Sequence, residues 1–540
     1  MKIEMRSLNL FILLFAASSL LFHSPSDFEA FAATSDGSVD STVEINDSTT
    51  NGPTLGNGYW FGRSVENIGD LDGDGVNDLA VGTILDPAGG TKRGTVNIMF
   101  MNSDGSVKST VEIDDTTTNG PTLSDNDRFG YAIANIGDLD GNGVNDLAVG
   151  AAYDDTASDG NTHSHGVNSN IGAVHIIFLN SDGTLTKQSV VINDSTANGP
   201  VLGLTHYFGR SVENIGDLDG DGVNDLAVGA IDGKGAVYIM FMNTDGSVDS
   251  TVEINDSTTN GPDLASGDQF GLGIANIGDL DGNGVNDLAV GAIYDDGTGT
   301  DRGALHIIFL DSDGTLTKQS AEINDSTTNG PTLSDVDRFG SSVADIGDLD
   351  GNGVNDLAVG AYLDDGVGSN RGALHIIFMH ETTQPTVTIT SSTGDSGDTV
   401  SDTTLSFTAT FSESTSNFAI GDITVTGTAN GGSPEASNFA GSGTTYTFDV
   451  VKGSSDGTVS VSIAAGVATD AAGNDSTAST NTYTSTIDTT ASTGGTCTRH
   501  VILGNCGTIA INNDVYRIIN TWTNVPTTEV LVGQPVTVTL

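Results

Sequence analysis

The most constraining feature of the sequence is an internal repeat. The string FGRSVENIGDLDGDGVNDLAVG at 61–82 returns letter for letter at 208–229, and related copies begin at Phe129, Phe270 and Phe339. Each copy contains an acidic loop, and because these loops begin at positions 70, 138, 217, 279 and 348, the units are 62 to 79 residues long. This length is typical of four-stranded propeller blades with long loops, and it exceeds that of a short solenoid coil.

Each unit has the pattern of four β-strands separated by clusters of Gly, Asn and Asp. The first strand precedes the acidic loop, the second follows it as Leu-Ala-Val-Gly, the third is an apolar run such as 303–310, and the fourth is a segment such as 250–254. No helical periodicity of comparable length accompanies these strands. The pattern therefore predicts an all-β protein.

The repeat region begins and ends with incomplete units. It opens with a segment that matches a fourth strand, residues 41–45, and its last apolar strand, Gly372 to Met379, has no fourth strand after it. A ring of sheets closes when the strand left over at one end completes the sheet at the other end, which removes exposed sheet edges. We predict a β-propeller of five blades closed by the N-terminal strand. The alternatives are an open array and a ring completed by a second chain.

Every unit carries an acidic loop with the spacing Asp-x-Asp-x-Asp/Asn-Gly-x-x-x-Asp. Calcium takes about six to eight oxygen ligands, including a backbone carbonyl at position 7, and needs glycine at position 6 for a tight turn. Position 12 of the first loop is Val81, where an EF-hand has glutamate, and the flanks have strand patterns. We predict about five bound calcium ions. The alternative is an aspartate-rich turn held by its own hydrogen bonds.

The predicted calcium ligands are at positions 1, 3, 5, 7 and 9 of each loop, and position 7 contributes its backbone carbonyl. In chain order they are Asp70, Asp72, Asp74, Val76, Asp78, Asp138, Asp140, Asn142, Val144, Asp146, Asp217, Asp219, Asp221, Val223, Asp225, Asp279, Asp281, Asn283, Val285, Asp287, Asp348, Asp350, Asn352, Val354 and Asp356. Loops one and three have aspartate at position 5, where the others have asparagine. The charge count therefore predicts tighter binding in loops one and three.

These motifs resemble the FG-GAP repeats of integrin α-subunit propellers and their microbial relatives. Three features recur in order over roughly residues 40–380: a Phe-Gly pair such as Phe61-Gly62, the acidic loop, and a Gly-Ala pair such as Gly150-Ala151. The resemblance implies a propeller with calcium between the first two strands of each blade, and a role in adhesion or recognition. The family's proline after Gly-Ala is absent, its usual seven blades disagree with five, and no motif matches the integrin residues that recognise ligands.

The charge balance and the N-terminus indicate export. With 17 basic and 71 acidic residues the net charge is −54, which disfavours nucleic acid and anionic lipid as partners. Residues 1–33 have the pattern of a signal peptide, with basic residues, an apolar run over 8–22, and Ala30-Phe31-Ala32 before a cleavage point. We predict a secreted or cell-surface protein without membrane insertion after signal cleavage. An uncleaved N-terminal anchor is the alternative.

Residues 34–382 are the predicted propeller, and the composition changes after them. Residues 383–490 are rich in Thr, Ser and Val and alternate with period two, which is typical of a β-sandwich. The segments 422–427, 446–450 and 467–474 resemble a bacterial immunoglobulin-like domain, which implies a spacer. Asp470 and Asn474 are either calcium ligands or part of a polar turn. Residues 491–540 match a linker and the start of a further β domain or a tail, where Cys497 and Cys506 either pair or stay free.

The sequence offers little support for catalysis. The zinc-protease HExxH, the phosphate-binding glycine loop and the CxxC pair do not occur. GDSG at 394–397 resembles a nucleophile loop but falls in a predicted turn, and His163 and His165 fall in a predicted solvated loop. We predict no catalytic residues and no enzyme, with a surface protein or glycan as the partner, and leave the oligomeric state open. An extracellular polysaccharide lyase or hydrolase is the alternative.

Overall fold

The computed structural model describes residues 42–155, 170–365 and 370–487, apart from 401, 403, 430–433 and 452–455, together with four short strands after residue 496. Within these residues the regular elements are β-strands and one 3-10 turn, Ile420–Asp422, which confirms an all-β protein. This part of the chain contains no helix that is long and apolar enough to cross a membrane. The predicted signal peptide, His163 and His165 lie outside the described residues.

The repeat region forms five antiparallel sheets, named sheets 1 to 5 in chain order. Sheet 1 consists of β1 Phe61–Gly69, β2 Asp78–Thr83, β3 Thr95–Met101 and β4 Val107–Ile113, paired in that order. Sheets 2, 3 and 4 repeat this order. Sheet 2 consists of β5 Ile133–Gly137, β6 Asp146–Ala151, β7 Ala173–Ile177 and β8 Val190–Ile192, and sheet 3 consists of β9 Val212–Gly216, β10 Asp225–Ala230, β11 Ala236–Met242 and β12 Val248–Ile254. Sheet 4 consists of β13 Phe270–Asn276, β14 Leu288–Ala292, β15 Ala304–Ile308 and β16 Ala321–Ile323. Sheet 5 has β17 Phe339–Asp345, β18 Leu357–Ala361 and β19 Ala373–Ile377. These successive antiparallel sheets fit a β-propeller.

The hydrophobic core of the repeat region lies between successive sheets. Between sheets 1 and 2, Val96 and Ile98 of β3 belong to the same buried cluster as Leu147 and Val149 of β6. Clusters of the same kind join sheets 2 and 3, sheets 3 and 4, and sheets 4 and 5. The third strand of sheets 1 to 4 is buried along its whole length, which explains its continuous apolar sequence.

The Phe-Gly and Gly-Ala pairs meet where one sheet follows the next. The ring of Phe129 is fully buried and packs edge-on against His175, with ring centroids 5.5 Å apart. The glycine after it approaches the preceding sheet so closely that a Cβ on Gly82 would lie 2.0 Å from the carbonyl oxygen of Gly130. The same contact, at 1.9 to 2.0 Å, joins Gly150 to Gly209, Gly229 to Gly271 and Gly291 to Gly340. A side chain at these positions would force the sheets apart.

The predicted closure of the ring is not confirmed, because sheet 5 and the N-terminal segment do not pair in this structure. Residues 42–45 lie in no strand, and sheet 5 has three strands. Leu374 of β19 is 67% exposed, whereas its counterpart in sheet 4, Leu305, is 0% exposed. The face of sheet 5 that corresponds to the covered faces of sheets 1 to 4 is therefore open.

The second unit contains two sheets that share one hydrophobic core. One sheet pairs β20 Val387–Ser391, β22 Thr404–Thr415 and β24 Glu435–Val451, and the other pairs β21 Thr399–Val400, β26 Tyr483–Ile487, β25 Gly457–Ile463 and β23 Ile423–Gly427. Both sheets contribute buried side chains to the core, among them Phe407, Phe448 and Val461. The immunoglobulin-like character of this unit stays a prediction.

The remaining elements bear on two further predictions. GDSG at 394–397 lies between β20 and β21, where the Ser396 hydroxyl oxygen accepts a hydrogen bond from the Thr484 N–H at 3.1 Å. β27 Cys497–Arg499 pairs with β30 Val536–Val538, and β28 Thr508–Ile511 pairs with β29 Asp514–Arg517. The pairing of Cys497 with Cys506 lies outside the described residues.

Candidate metal centre

The acidic loop of each unit connects the first and second strands of its sheet. In sheet 1 the loop begins after Gly69, the last residue of β1, and ends at Asp78, the first of β2, and these two residues are ladder partners. One carboxylate oxygen from each of positions 1, 3 and 9 lies within 4.8 Å of the others. The five groups are Asp70, Asp72, Asp78; Asp138, Asp140, Asp146; Asp217, Asp219, Asp225; Asp279, Asp281, Asp287; and Asp348, Asp350, Asp356.

The position-9 aspartate joins the acidic loop to the third strand of the sheet. Asp78 is buried, and its Oδ2 accepts a hydrogen bond from the Leu71 N–H at 2.9 Å within the loop. Its Oδ1 accepts one from the N–H of Met101, the last residue of β3, also at 2.9 Å. Equivalent bonds to the end of the third strand form in the other four units. Sequence reasoning could not identify these donors, because every residue except proline has a backbone N–H.

The position-1 aspartate organises the loop itself. Asp70 accepts hydrogen bonds from the N–H groups of Asp74, at 2.9 Å, and Gly75, at 2.7 Å. The position-6 glycine that provides the second donor has φ +90°, a left-handed conformation that favours glycine. This geometry agrees with the turn predicted from the spacing of the loop.

The position-3 aspartates supply the atoms that fit a cation. Asp72, Asp140 and Asp281 each have a buried Oδ1 without a hydrogen-bond partner, in the same groups as the carboxylates of positions 1 and 9. Buried carboxylate oxygens are normally hydrogen-bonded or bound to a metal. A hard divalent cation, which prefers oxygen ligands, fits this set of donors.

Burial and the charge of the position-3 neighbour disfavour the charged form of the position-9 carboxylates in loops one to four. Burial raises the pKa of Asp146 to about 7, and the neighbouring Asp140 carboxylate adds to the increase. Burial likewise raises the pKa values of Asp225 and Asp287 to about 6. A bound cation would reverse this effect by stabilising the ionised form.

The position-5 side chains bind the backbone of the loop and of the third strand. In loop two, Asn142 Oδ1 accepts a hydrogen bond from the Val144 N–H at 2.7 Å, and Asn142 Nδ2 donates to the Leu179 carbonyl at 2.8 Å. Equivalent pairs of bonds form in loops four and five. In loops one and three the aspartate makes the bond to the valine N–H. The role of positions 5 and 7 as metal ligands stays a prediction.

Loop one differs from loop three by a lysine that sequence reasoning missed. Lys108 Nζ lies 2.6 Å from Asp72 Oδ2 and 2.7 Å from Asp74 Oδ2, and these hydrogen bonds raise the pKa of Lys108. The equivalent residue on β12 of sheet 3 is Asp249. The ammonium group offsets negative charge at loop one, so charge now favours loop three alone. The sequence shows this difference directly, because β4 is VKSTVEI and β12 is VDSTVEI and the two strands are otherwise identical.

Comparisons with known proteins agree with the repeat motifs. Residues 208–240 match the family model described as FG-GAP repeat. The chain is 30% identical over 271 residues to integrin alpha-PS2 of Drosophila melanogaster, a match that covers 47% of this chain and 16% of that protein. It is 30% identical to integrin alpha pat-2 of Caenorhabditis elegans, with 42% and 17% covered, and 32% identical to integrin alpha-5 of Xenopus laevis, with 45% and 21% covered.

These relatives are much longer than the region of similarity. The matched region spans 16% to 21% of the length of these three proteins, so the comparison concerns a part of each of them and not the whole protein. The second unit has no counterpart in the matched family model. Residues 208–240 are thus similar to the FG-GAP repeat, and 42% to 47% of the chain is similar to these integrin α subunits.

Proposed function

We propose that this chain is a calcium-binding propeller of a secreted or cell-surface protein that acts in adhesion, recognition or surface architecture. The observation that carries the proposal is the convergence of three carboxylates at the same place in all five units. The similarity to integrin α subunits supports adhesion or recognition as the class of function. None of the comparisons supports the polysaccharide-acting enzyme.

The proposed mechanism is structural. Calcium, when bound, supplies a divalent charge that offsets the repulsion among the carboxylates. The position-1 carboxylate holds the loop in its turn, and the position-9 carboxylate attaches the loop to the end of the third strand. An ordered loop therefore fixes three strands of the sheet together. Binding about five ions would link the stability of the repeat region to the calcium concentration outside the cell.

Calorimetric unfolding of the full chain tests this mechanism. We expect the melting temperature to rise in millimolar calcium relative to excess chelator, and to lose that rise when the five position-1 aspartates are changed to alanine: Asp70, Asp138, Asp217, Asp279 and Asp348. A control variant with alanine at four exposed hairpin aspartates removes nearly as much negative charge: Asp104, Asp182, Asp245 and Asp313. An unchanged wild-type melt would refute calcium as the structural ion.

We also propose that the five sheets close into a ring through residues 42–45. In this structure Val43 lies beside Gly105 of sheet 1, as Val111 of β4 lies beside Gly183 of sheet 2. The N-terminal segment therefore lies against sheet 1 in the same way that β4, the fourth strand of sheet 1, lies against sheet 2. If β19 paired with this segment in the register that β15 has with β16, Leu374 would lie opposite Ile45.

A charged pair supports the same closure. Within sheets 1 and 4, Arg93 forms an ion pair with Asp115, and Arg302 forms one with Asp325. The corresponding residues at the two ends of the repeat region are Arg371 and Asp47, both exposed in this structure. Closing the ring would bring these two side chains together.

Charge reversal tests the closure and its alternative. We expect Arg371→Asp and Asp47→Arg each to lower the melting temperature and the double variant to recover it, because reversal restores the pair. Recovery on mixing and refolding the two single variants would indicate a ring completed by a second chain. Additive losses in the double variant would refute the pairing.

The remaining proposals concern the surroundings of the propeller. We propose that the second unit is an immunoglobulin-like spacer and that the ligand is a surface protein or a glycan. Near-identical sheets present the same surface several times, which suits multivalent binding. Binding of the secreted chain to a glycan array or to labelled cells, with and without calcium, tests this, and no binding in either condition would leave only an architectural role.

A further inference from the structure

The connection between the repeat region and the second unit contains an acidic cluster that is separate from the five loops. We name it the junction cluster, and it consists of Glu381, Glu413, Asp470 and Asn474. Glu381 lies between β19 and β20, Glu413 lies in β22, and the other two residues lie in the turn between β25 and β26. The cluster therefore joins the segment that leaves the propeller to both sheets of the second unit.

Two residues of the junction cluster are buried, and the other two are half-buried. Glu381 is 8% exposed and Asp470 is 7% exposed, so both carboxylates are more than nine-tenths buried. Asn474 connects them, because its N–H donates to Asp470 Oδ1 at 2.8 Å and its Nδ2 donates to Glu381 Oε2 at 2.6 Å. The same Nδ2 donates to the Glu381 backbone carbonyl at 2.9 Å. One asparagine thus holds the turn against the connecting segment.

One oxygen of this cluster lacks a partner. Asp470 Oδ2 is buried and accepts no hydrogen bond, although Asp470 Oδ1 and both side-chain oxygens of Glu381 accept one each. Among the ion pairs of the described residues, none involves Glu381, Glu413 or Asp470. Leaving a buried carboxylate oxygen unpaired is costly unless a cation binds it.

The electrostatics of Glu413 support the proximity of the three carboxyl groups. Glu413 lies close enough to Glu381 and Asp470 for the charges of both to act on it. Three carboxyl groups and the amide oxygen of Asn474 are hard oxygen donors, which suit calcium better than a transition metal.

We propose that the junction cluster binds one divalent cation, with calcium as the natural occupant, and that this ion fixes the segment leaving the propeller to the second unit. Asp470 Oδ2 is the principal ligand, Glu381 and Glu413 contribute the remaining carboxylate oxygens, and Asn474 positions both Asp470 and Glu381. The ion would stiffen the connection between a binding unit and its support. This inference does not depend on the acidic loops, which share no residue with the cluster.

Counting bound calcium tests the proposal. The full chain is dialysed against calcium, and bound metal per chain is measured for wild type, Asp470→Asn and the matched control Asp475→Asn, an exposed neighbour in the same turn. We expect Asp470→Asn to bind one ion fewer than wild type and Asp475→Asn to bind the same number. The five loops are identical in the three proteins, so the difference reports on the junction alone, whereas the total reports on the loops.

A second variant and a proteolysis assay test the same site. If Asp470→Asn fails to fold, Glu413→Gln changes a less buried member of the cluster and should weaken binding at this site at least tenfold. Proteolysis of the segment 380–386 should slow in calcium for wild type and Asp475→Asn but not for the cluster variants. Equal stoichiometry in all variants, or cleavage that ignores calcium in wild type, would overturn the assignment.

Discussion

Replacing Asp287 by alanine separates the structural bonds of a position-9 carboxylate from its proposed role as a ligand. Asp287 is fully buried, and its oxygens accept hydrogen bonds from the N–H groups of Leu280 at 2.9 Å, Asp281 at 3.2 Å and Leu310 at 2.9 Å. Alanine leaves these donors without an acceptor, and each buried unsatisfied donor costs about 1–3 kcal/mol. Because water reaches part of the loop, we expect a loss of about 3–5 kcal/mol in the free energy of unfolding without calcium.

Asp279→Ala in the same loop is the matched comparison. Asp279 is exposed and accepts from the N–H groups of Gly282, Asn283 and Gly284, which water can reach when the side chain is removed. We expect a loss of about 1 kcal/mol without calcium. At a calcium concentration fifty times the dissociation constant, one site adds about 2 kcal/mol to stability, and both variants should lose this increment.

Urea unfolding of the full chain, followed by far-ultraviolet circular dichroism in chelator and in millimolar calcium, measures both quantities. The two variants should differ in chelator and lose the same calcium increment. If Asp287→Ala costs no more than Asp279→Ala in chelator, the bonds to the loop and third strand do not stabilise the sheet as argued. If both variants keep the full calcium increment, the loop is not the binding site.

Three further changes probe other parts of the structure. Lys108→Thr removes a cation from loop one and should raise calcium affinity there about tenfold, measured by calorimetric titration. Burial and the charge of the neighbouring Glu66 raise the pKa of Glu213 from 4.5 to about 7. The folded protein therefore favours neutral Glu213, and this contribution to stability is complete below the unfolded pKa of 4.5 and is lost as the pH rises through about 7. Glu213→Gln should therefore add up to about 3 kcal/mol near pH 8 and nothing near pH 4, in unfolding titrations at both pH values. Gly291→Ala places a Cβ 1.9 Å from a carbonyl oxygen of the next sheet and should cost about 3 kcal/mol or more in urea unfolding. Gly360→Ala meets side-chain hydroxyl groups in this structure and should cost less if the sheets form an open array.

The grouping of the carboxylates in the acidic loops could be predicted because these residues lie within nine positions of sequence. Spacing alone placed the first, third and ninth positions together, and the structure groups these carboxylates in every unit. The strand order within each unit was equally accessible, since apolar runs and turn residues alternate regularly. Local periodicity is what made both predictions possible.

The features that sequence reasoning missed depend on contacts between distant segments. The bond from Asp78 to the Met101 N–H crosses 23 positions, and the ion pairs of Lys108 with the loop cross 34 and 36. The junction cluster joins Glu381 to Asn474 across 93 positions. Only the fold brings such groups together, so residue identity and spacing could not reveal them.

The family's two glycine motifs act as the two halves of one contact. The glycines of three Gly-Ala pairs, and Gly82 at the same position of the first unit, each approach the glycine of the next Phe-Gly pair closely enough to exclude a side chain, so this contact occurs four times. Gly360 and Gly62, at the two ends of the repeat region, are the halves that have no such contact in this structure. A closed ring would join them as the fifth contact, and Gly360→Ala would then cost as much as Gly291→Ala. The ratio of the two losses therefore measures whether the ring is closed in solution.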